Sequence, residues 1–225
     1  MNSKNQNNIM TNFKLFECKE RWGLTWLGRL ILFSCITISF ILAIILIHPF
    51  LAENHPIKGE VLVVEGWLPD YALKKAITEF NTNNYSLLFV TGVPLLKGYY
   101  LLEYETDAGV GAATLEKLGF NKDLLRVVPA PFTKKDRTYT SAIALKQCLA
   151  ESKLLVRSIN LVSLGPHSRR SRLLFEKAFG KKVSIGVVAV EDIDYDPDEW
   201  WRSSNGVRMV IGEAIAYIYA RFFSD

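Results

Sequence analysis

The chain has 225 residues, 49% of them hydrophobic and 22% charged, with a formal net charge of +4. That composition describes a globular chain with room for one sizeable domain and an appendage, and it excludes a disordered protein. Most of the positive charge lies at the N-terminal end, so the remainder is close to neutral and lacks the basic surface that nucleic-acid binding requires.

Residues 1–25 read as a basic tail, in which Lys4, Lys14, Lys19 and Arg21, with Arg29 just beyond, outweigh Glu17 and Glu20. No charged residue occurs from 30 to 47, and Trp26-Leu27 extend the run outward. An apolar stretch of this length can span a bilayer as a helix, with Trp22 and Trp26 where an interfacial aromatic belt would lie. The pattern predicts a transmembrane signal anchor over 26–48, ended by His48-Pro49. A cleaved signal peptide would have a shorter apolar core and a small-x-small site, which Phe50-Leu51-Ala52 fits poorly. Five Lys/Arg precede the uncharged run, and only Lys58 follows it closely. The positive-inside rule therefore predicts a single-pass protein of a plasma (inner) membrane, with a cytoplasmic N-terminus and a periplasmic or otherwise extracytoplasmic main domain. Residues 49–58, polar and containing Pro56, read as a tether to a domain over 59–225. Cys18 and Cys35 fall in the tail and span, so Cys148 has no disulfide partner within that domain. His167 is its only histidine, which excludes a His-rich zinc site, and no metal-binding residues are assigned.

Beyond the tether, strand-like and helix-like patterns alternate. Val61–Glu65 is a compact β-branched run. Asp70 then precedes Leu73, Ala76, Ile77 and Phe80 at helical spacing, as an acidic cap. Residues 87–91 form a second strand pattern, and 108–118 a helix stopped by Gly119. A strand at 125–128 and a helix at 138–149 follow. Residues 159–163 and 183–190 are further apolar strands, and the turn Gly165-Pro166 between them opens a helix through Leu173, Leu174, Phe175, Ala178 and Phe179. Residues 207–222 form a last, apolar-rich helix, in which Val207, Val210, Ile211, Ala214, Ile215, Ile218 and Phe222 make a stripe expected to pack on the sheet. Continuously apolar strands alternating with helices predict an α/β fold: a parallel sheet with helices on both faces, preceded by one N-terminal transmembrane helix.

In open α/β sheets ligands bind beyond the carboxyl ends of the strands. The chemically unusual residues follow strands: Glu65, Gly66, Trp67 and Asp70 after the first, and Thr91 and Gly92 after the second. Arg137 and Thr138 follow the third, and His167 with Arg170 the fourth. Gly66 and Gly92 equally suit plain turns, and Thr138 a plain helix cap. His167, Arg169, Arg170 and Arg172 crowd the first turn of a helix, where the dipole disfavours cations. Either the arginines point to solvent or something negative faces them.

The run Leu161-Val162-Ser163-Leu164-Gly165-Pro166-His167-Ser168-Arg169-Arg170-Ser171 has a strand, then a histidine, then an arginine three places on. It resembles the signature of the YdcF/SanA/ElyC family of bacterial envelope-associated proteins. Asp136-Arg137-Thr138-Tyr139-Thr140-Ser141-Ala142 is similar to that family's threonine-containing helix start, and residues 61–66 to its first strand and turn. The resemblance covers residues 58–189 and implies a Rossmann-like fold and an envelope role. Glu65-Gly66-Trp67 departs from the more glycine-rich first turn of the family, and Ser141 stands where Asn is common. Asp107 or Glu105 would supply the family's acidic residue.

Three readings of this rim follow. One is a site for an anionic small molecule of phosphate or nucleotide type, held by His167 and Arg170 against Trp67 and supporting envelope biogenesis or barrier integrity. Another is a phosphoryl-ester hydrolase or transferase acting on envelope precursors, with Glu65 or Asp70 as base or Mg²⁺ ligand. The third is a non-catalytic interaction module that uses the acidic-aromatic segment 192–201. No residue identifies a nucleophile, and no motif names a cofactor.

Overall fold

The computed structural model describes residues 23–96 and 103–223. The predicted basic tail up to Trp22, with Cys18, lies outside them. By internal contacts the chain divides into a unit ending at Ile41 and a second unit from Leu42 onward. Helix α1 (Trp26–Leu51) begins in the first unit and ends in the second. It is long and apolar enough to cross a membrane. At 1.5 Å per residue its 26 residues reach about 39 Å, beyond the ~30 Å of a hydrocarbon core. Thr37 is accommodated because its hydroxyl donates to the Phe33 carbonyl at 2.9 Å.

The helix does not stop at His48-Pro49, as the sequence predicts, but continues through Pro49 to Leu51. Packing outweighs the lost N–H: Leu51 is buried, and Ala52 N donates to the His48 carbonyl at 2.8 Å. The expected tether is also docked. His55 exchanges backbone hydrogen bonds with Val187, and Ile57 exchanges two with the Asn160 side chain. Residues 54–57 thereby cover a sheet edge that would otherwise present unpaired backbone groups.

The second unit holds five strands, β1 (Val61–Glu65), β2 (Leu88–Gly92), β3 (Leu125–Pro129), β4 (Ser158–Leu164) and β5 (Ser184–Val190). They form one parallel sheet in the order β3-β2-β1-β4-β5. This is the Rossmann-like arrangement, and its apolar strands are covered on both sides. The two-residue period divides them between the faces. Leu62, Val64, Leu88 and Val90 pack with α2 (Asp70–Thr82) and α3 (Asp107–Lys117). Val61, Val63, Phe89 and Leu161 pack with α4 (Arg137–Glu151) and α5 (His167–Phe179). Asp70 is the first residue inside α2 and not its cap, which is Pro69. After α3, Gly119 takes φ +92° and donates to Glu116 while Phe120 donates to Leu115, the paired closure that favours glycine at this position.

Helix α6 (Ser204–Phe222) corrects the sequence reading most. Val210 is fully buried, but Val207, Ile211, Ile215, Ile218 and Phe222 are exposed. The sheet faces are already filled by α2 to α5. Helix α6 instead packs beside α5, and its Val210, Ala214 and Tyr217 share one apolar cluster with Ile44, Ile47 and Leu51 of α1, Tyr217 meeting Phe50 edge-on at 5.5 Å between centroids. The acidic-aromatic segment folds inward here: Tyr195 and Trp200 are buried, and Trp200 Nε1 donates to the Ile44 carbonyl at 3.1 Å.

Candidate functional site

The strand order reverses between β1 and β4, since β1 connects outward to β2 while β4 lies on its other side. That is where an open α/β sheet leaves a crevice at its carboxyl ends. Glu65 closes β1 there, buried to 3% exposure. A buried carboxylate requires donors. Ser163, on β4, donates to it at 2.5 Å, Ser171 of α5 at 3.1–3.2 Å and Thr138 of α4 at 3.4 Å. His167 Nε2 stands 3.4 Å away, within ion-pair range, but makes no hydrogen bond.

Gly165 turns the chain out of β4 at φ +39° and Pro166 leads into α5, so His167 opens the helix over the crevice. Its Nδ1 meets Glu213 Oε1 of α6 at 2.9 Å. Arg170, one turn on, donates to both oxygens of the same carboxylate, from Nε at 2.8 Å and Nη2 at 3.0 Å. Arg170 Nη2 is also 2.9 Å from His167 Nδ1. Because Glu213 Oε1 accepts from both, the close approach of these two donors follows from their shared acceptor. Arg172 and Arg169 pair instead with Glu53, on the other side of α5.

The result is a buried quartet of two cations and two carboxylates. Burial alone would push the imidazolium down, but the Glu65 charge and the Glu213 hydrogen bond raise His167 to about 9. Burial likewise pushes Glu213 up, and the hydrogen bond and charge of His167, then those of Arg170, hold it down at about 2. Glu65 also stays below its ordinary range, its burial outweighed by His167 and Ser163. His167 is therefore an imidazolium at neutral pH, fixed between two carboxylates.

Around the quartet lies a cavity of about 650 Å³. It gathers nine of the eleven residues singled out in the sequence: Glu65, Trp67, Thr91, Gly92, Asp107, Arg137, Thr138, His167 and Arg170. Gly66 and Asp70 are not among its lining residues. Gly66 lies beneath the start of α3, where a Cβ would collide with the backbone of Asp107, and Gly92 is confined in the same way by Ala108. Asp70 is exposed on the first turn of α2. Trp67 stands edge-on to the His167 ring at 5.0 Å between centroids. Thr91 Oγ1 is buried without a hydrogen-bond partner among the described residues.

Sequence reasoning did not find Glu213, nor Met209, Ala216 and Tyr219, with which α6 closes the cavity. The available signal was a lone carboxylate in an otherwise apolar helix. His167 and Arg170 reach the cavity already paired, whereas Arg137 is exposed and makes no hydrogen bond or ion pair among the described residues. Lys134 and Lys135 line the same side. Arg137 opens α4, whose N-terminus has no side-chain cap because Asp136 takes φ +53°. Asp107, opposite, is raised by burial and partly offset by the Arg137 charge. Among the described residues no group of three or more His, Cys, Asp and Glu is placed to hold a metal ion. Compared with protein-family models and with curated proteins, the chain matches none of them.

Proposed function

We propose that this is a single-pass membrane-anchored protein of a bacterial envelope, of the YdcF/SanA/ElyC kind, that binds an anionic ligand of phosphate or nucleotide type in the rim cavity. Its domain lies outside the cytoplasm and serves envelope biogenesis or barrier integrity. The observation that carries the ligand class is Arg137, unpaired at the uncapped N-terminus of α4, with Lys134 and Lys135 on the same wall. A helix N-terminus offers free N–H groups and a positive dipole end, and a guanidinium adds a bidentate fork. The inner quartet is internally neutral, so attraction for an anion comes from the outer wall, while Trp67 supplies an apolar side.

The test is equilibrium binding of inorganic phosphate, pyrophosphate and a nucleoside diphosphate to the full chain in lipid nanodiscs. Saturable binding is expected for at least one of them, weakened about 10- to 100-fold by Arg137→Ala through loss of a charge-assisted contact. No saturable binding, or equal binding by Arg137→Ala, refutes the reading. A second reading, phosphoryl-ester hydrolysis, is favoured by one observation: the His167 imidazolium holds a proton on Nε2 at neutral pH, and its acidic neighbour Glu65 stands at 3.4 Å, long for a hydrogen bond. Such a group can protonate a leaving oxygen. Phosphate release that disappears in His167→Asn would select it.

A further inference from the structure

Helix α6 has a second apolar face that is left largely exposed among the described residues. Val207, Ile211, Ile215, Ile218 and Phe222 are 40%, 42%, 65%, 54% and 74% exposed. At 100° per residue they fall within an arc of about 80°. Scattered exposed apolar residues are ordinary, but five large ones in a single stripe mark a contact surface. The charges of the helix separate by face. Its one acid, Glu213, turns inward to His167 and Arg170, while Arg208 and Arg221 are exposed beside the stripe. An apolar arc edged by arginines and free of acids matches the headgroup region of a bilayer that contains anionic lipid.

Position supplies the second argument. Val210, Ala214 and Tyr217 of α6 share an apolar cluster with Ile44, Ile47 and Leu51 of α1, and Tyr217 stands edge-on to Phe50. Ile47 is the last residue of the uncharged run, so in a spanning α1 these contacts lie where hydrocarbon gives way to headgroups. Trp201, 42% exposed beside the buried Trp200, suits the same level. We propose that the outer face of α6 lies in the interface of the bilayer that α1 spans, seating the domain on lipid by an amphipathic helix as well as by its anchor. The inference rests on the spanning reading of α1. Since α6 also supplies Glu213 and Tyr219 to the cavity, this seating fixes that wall of the cavity at the lipid surface.

The experiment uses the full chain with Cys18, Cys35 and Cys148 replaced by alanine. Single cysteines at Ile215, Ile38 or Leu155 carry a fluorophore, in nanodiscs of phosphatidylglycerol and acyl-brominated phosphatidylcholine. Ile38 reports the anchor, and Leu155, 93% exposed between α4 and β4, reports the far end of the domain. The label at Ile215 is expected to lose most of its emission to bromolipid, as at Ile38, while that at Leu155 keeps its own. Quenching at Ile38 without quenching at Ile215 overturns the seating of α6 and leaves the anchor standing. Absence of quenching at Ile38 overturns the spanning reading and the inference with it. An unquenched Ile215 site that cross-links between copies assigns the face to a second copy of the chain and equally overturns the proposal.

Discussion

Replacing Glu213 by Gln tests the quartet, because the change keeps the side chain's shape and removes its charge. The carboxyl is held at about 2 against an ordinary 4.5, and the imidazolium at about 9 against 6.5. Each difference corresponds to about 3 kcal/mol. The two share the His167–Glu213 contact, but Glu65 is the larger cause of the raised imidazolium and Arg170 adds to the lowered carboxyl, so they are not summed. Both groups are well shielded, with side chains 14% and 9% exposed, so solvent screening removes little of it. The depressed carboxyl contributes its full stability above pH 4.5 and loses it as pH falls toward 2. The raised imidazolium contributes fully below pH 6.5 and loses it as pH rises through 9. The wild type should therefore be most stable between pH 4.5 and 6.5. In that window Glu213→Gln is expected to cost up to ~3 kcal/mol, or roughly 6–12 °C in melting temperature for a domain of this size. The cost is capped because His167 can give up its proton. The assay is thermal unfolding of the full chain in detergent across pH, with an NMR titration of the His167 ring. Its midpoint should move from about 9 toward 6.5 in the variant and remain raised by Glu65. A wild-type midpoint near 6.5, or a variant that melts with the wild type at pH 6, would refute the electrostatic reasoning.

Three further outcomes are expected. A reporter fused to the C-terminus should be active only outside the cytoplasm, because the basic flank precedes the span; cytoplasmic activity would invert the topology. Asn160→Leu should destabilise by about 1–3 kcal/mol in urea unfolding, since it strands the Ile57 N–H and carbonyl, which Asn160 meets at 3.0 and 2.7 Å, while the Tyr85 hydroxyl keeps its bond to Glu79; an unchanged midpoint would show that residues 54–57 dock without it. In detergent, Val210→Ala should cost roughly 2 kcal/mol and Ile215→Ser less than about 0.5 kcal/mol, and the reverse order would place the stripe of α6 in the core.

The strands were legible because burial on both faces leaves a direct mark: Val61–Glu65 is apolar but for its last residue, and 183–190 is apolar but for Ser184 and Gly186. The choice of face on α6 was not. Its sequence holds two apolar stripes, one through Val210, Ala214 and Tyr217 and one through Val207, Ile211 and Ile215. Periodicity reports that a face is apolar without saying what covers it. The sequence reading therefore merged the two into one stripe and buried both, whereas only the first is covered. Pro49 misled for a related reason, since a proline's local cost is visible in sequence while the burial of Leu51 that outweighs it is not.

Two local irregularities in the sequence answer each other in the structure. Cations crowd the first turn of α5, against the helix dipole, and a single carboxylate stands in α6 with no basic residue three or four places away. Each is unfavourable on its own element. They lie 43 to 46 residues apart in sequence, and Glu213 resolves both by accepting from Arg170 and His167 at once. Without Glu213, His167 and Arg170 would face Glu65 with an excess of positive charge and would themselves be the natural anion ligands, as the sequence predicts. With it the quartet is neutral, and the cavity's unpaired charge moves outward to Arg137 at the start of α4. The same helix that neutralises the inner site leaves its other face apolar and unpartnered. The electrostatics of the cavity and the proposed seating on lipid therefore depend on one element, and a change in how α6 lies would be felt at His167 through Glu213.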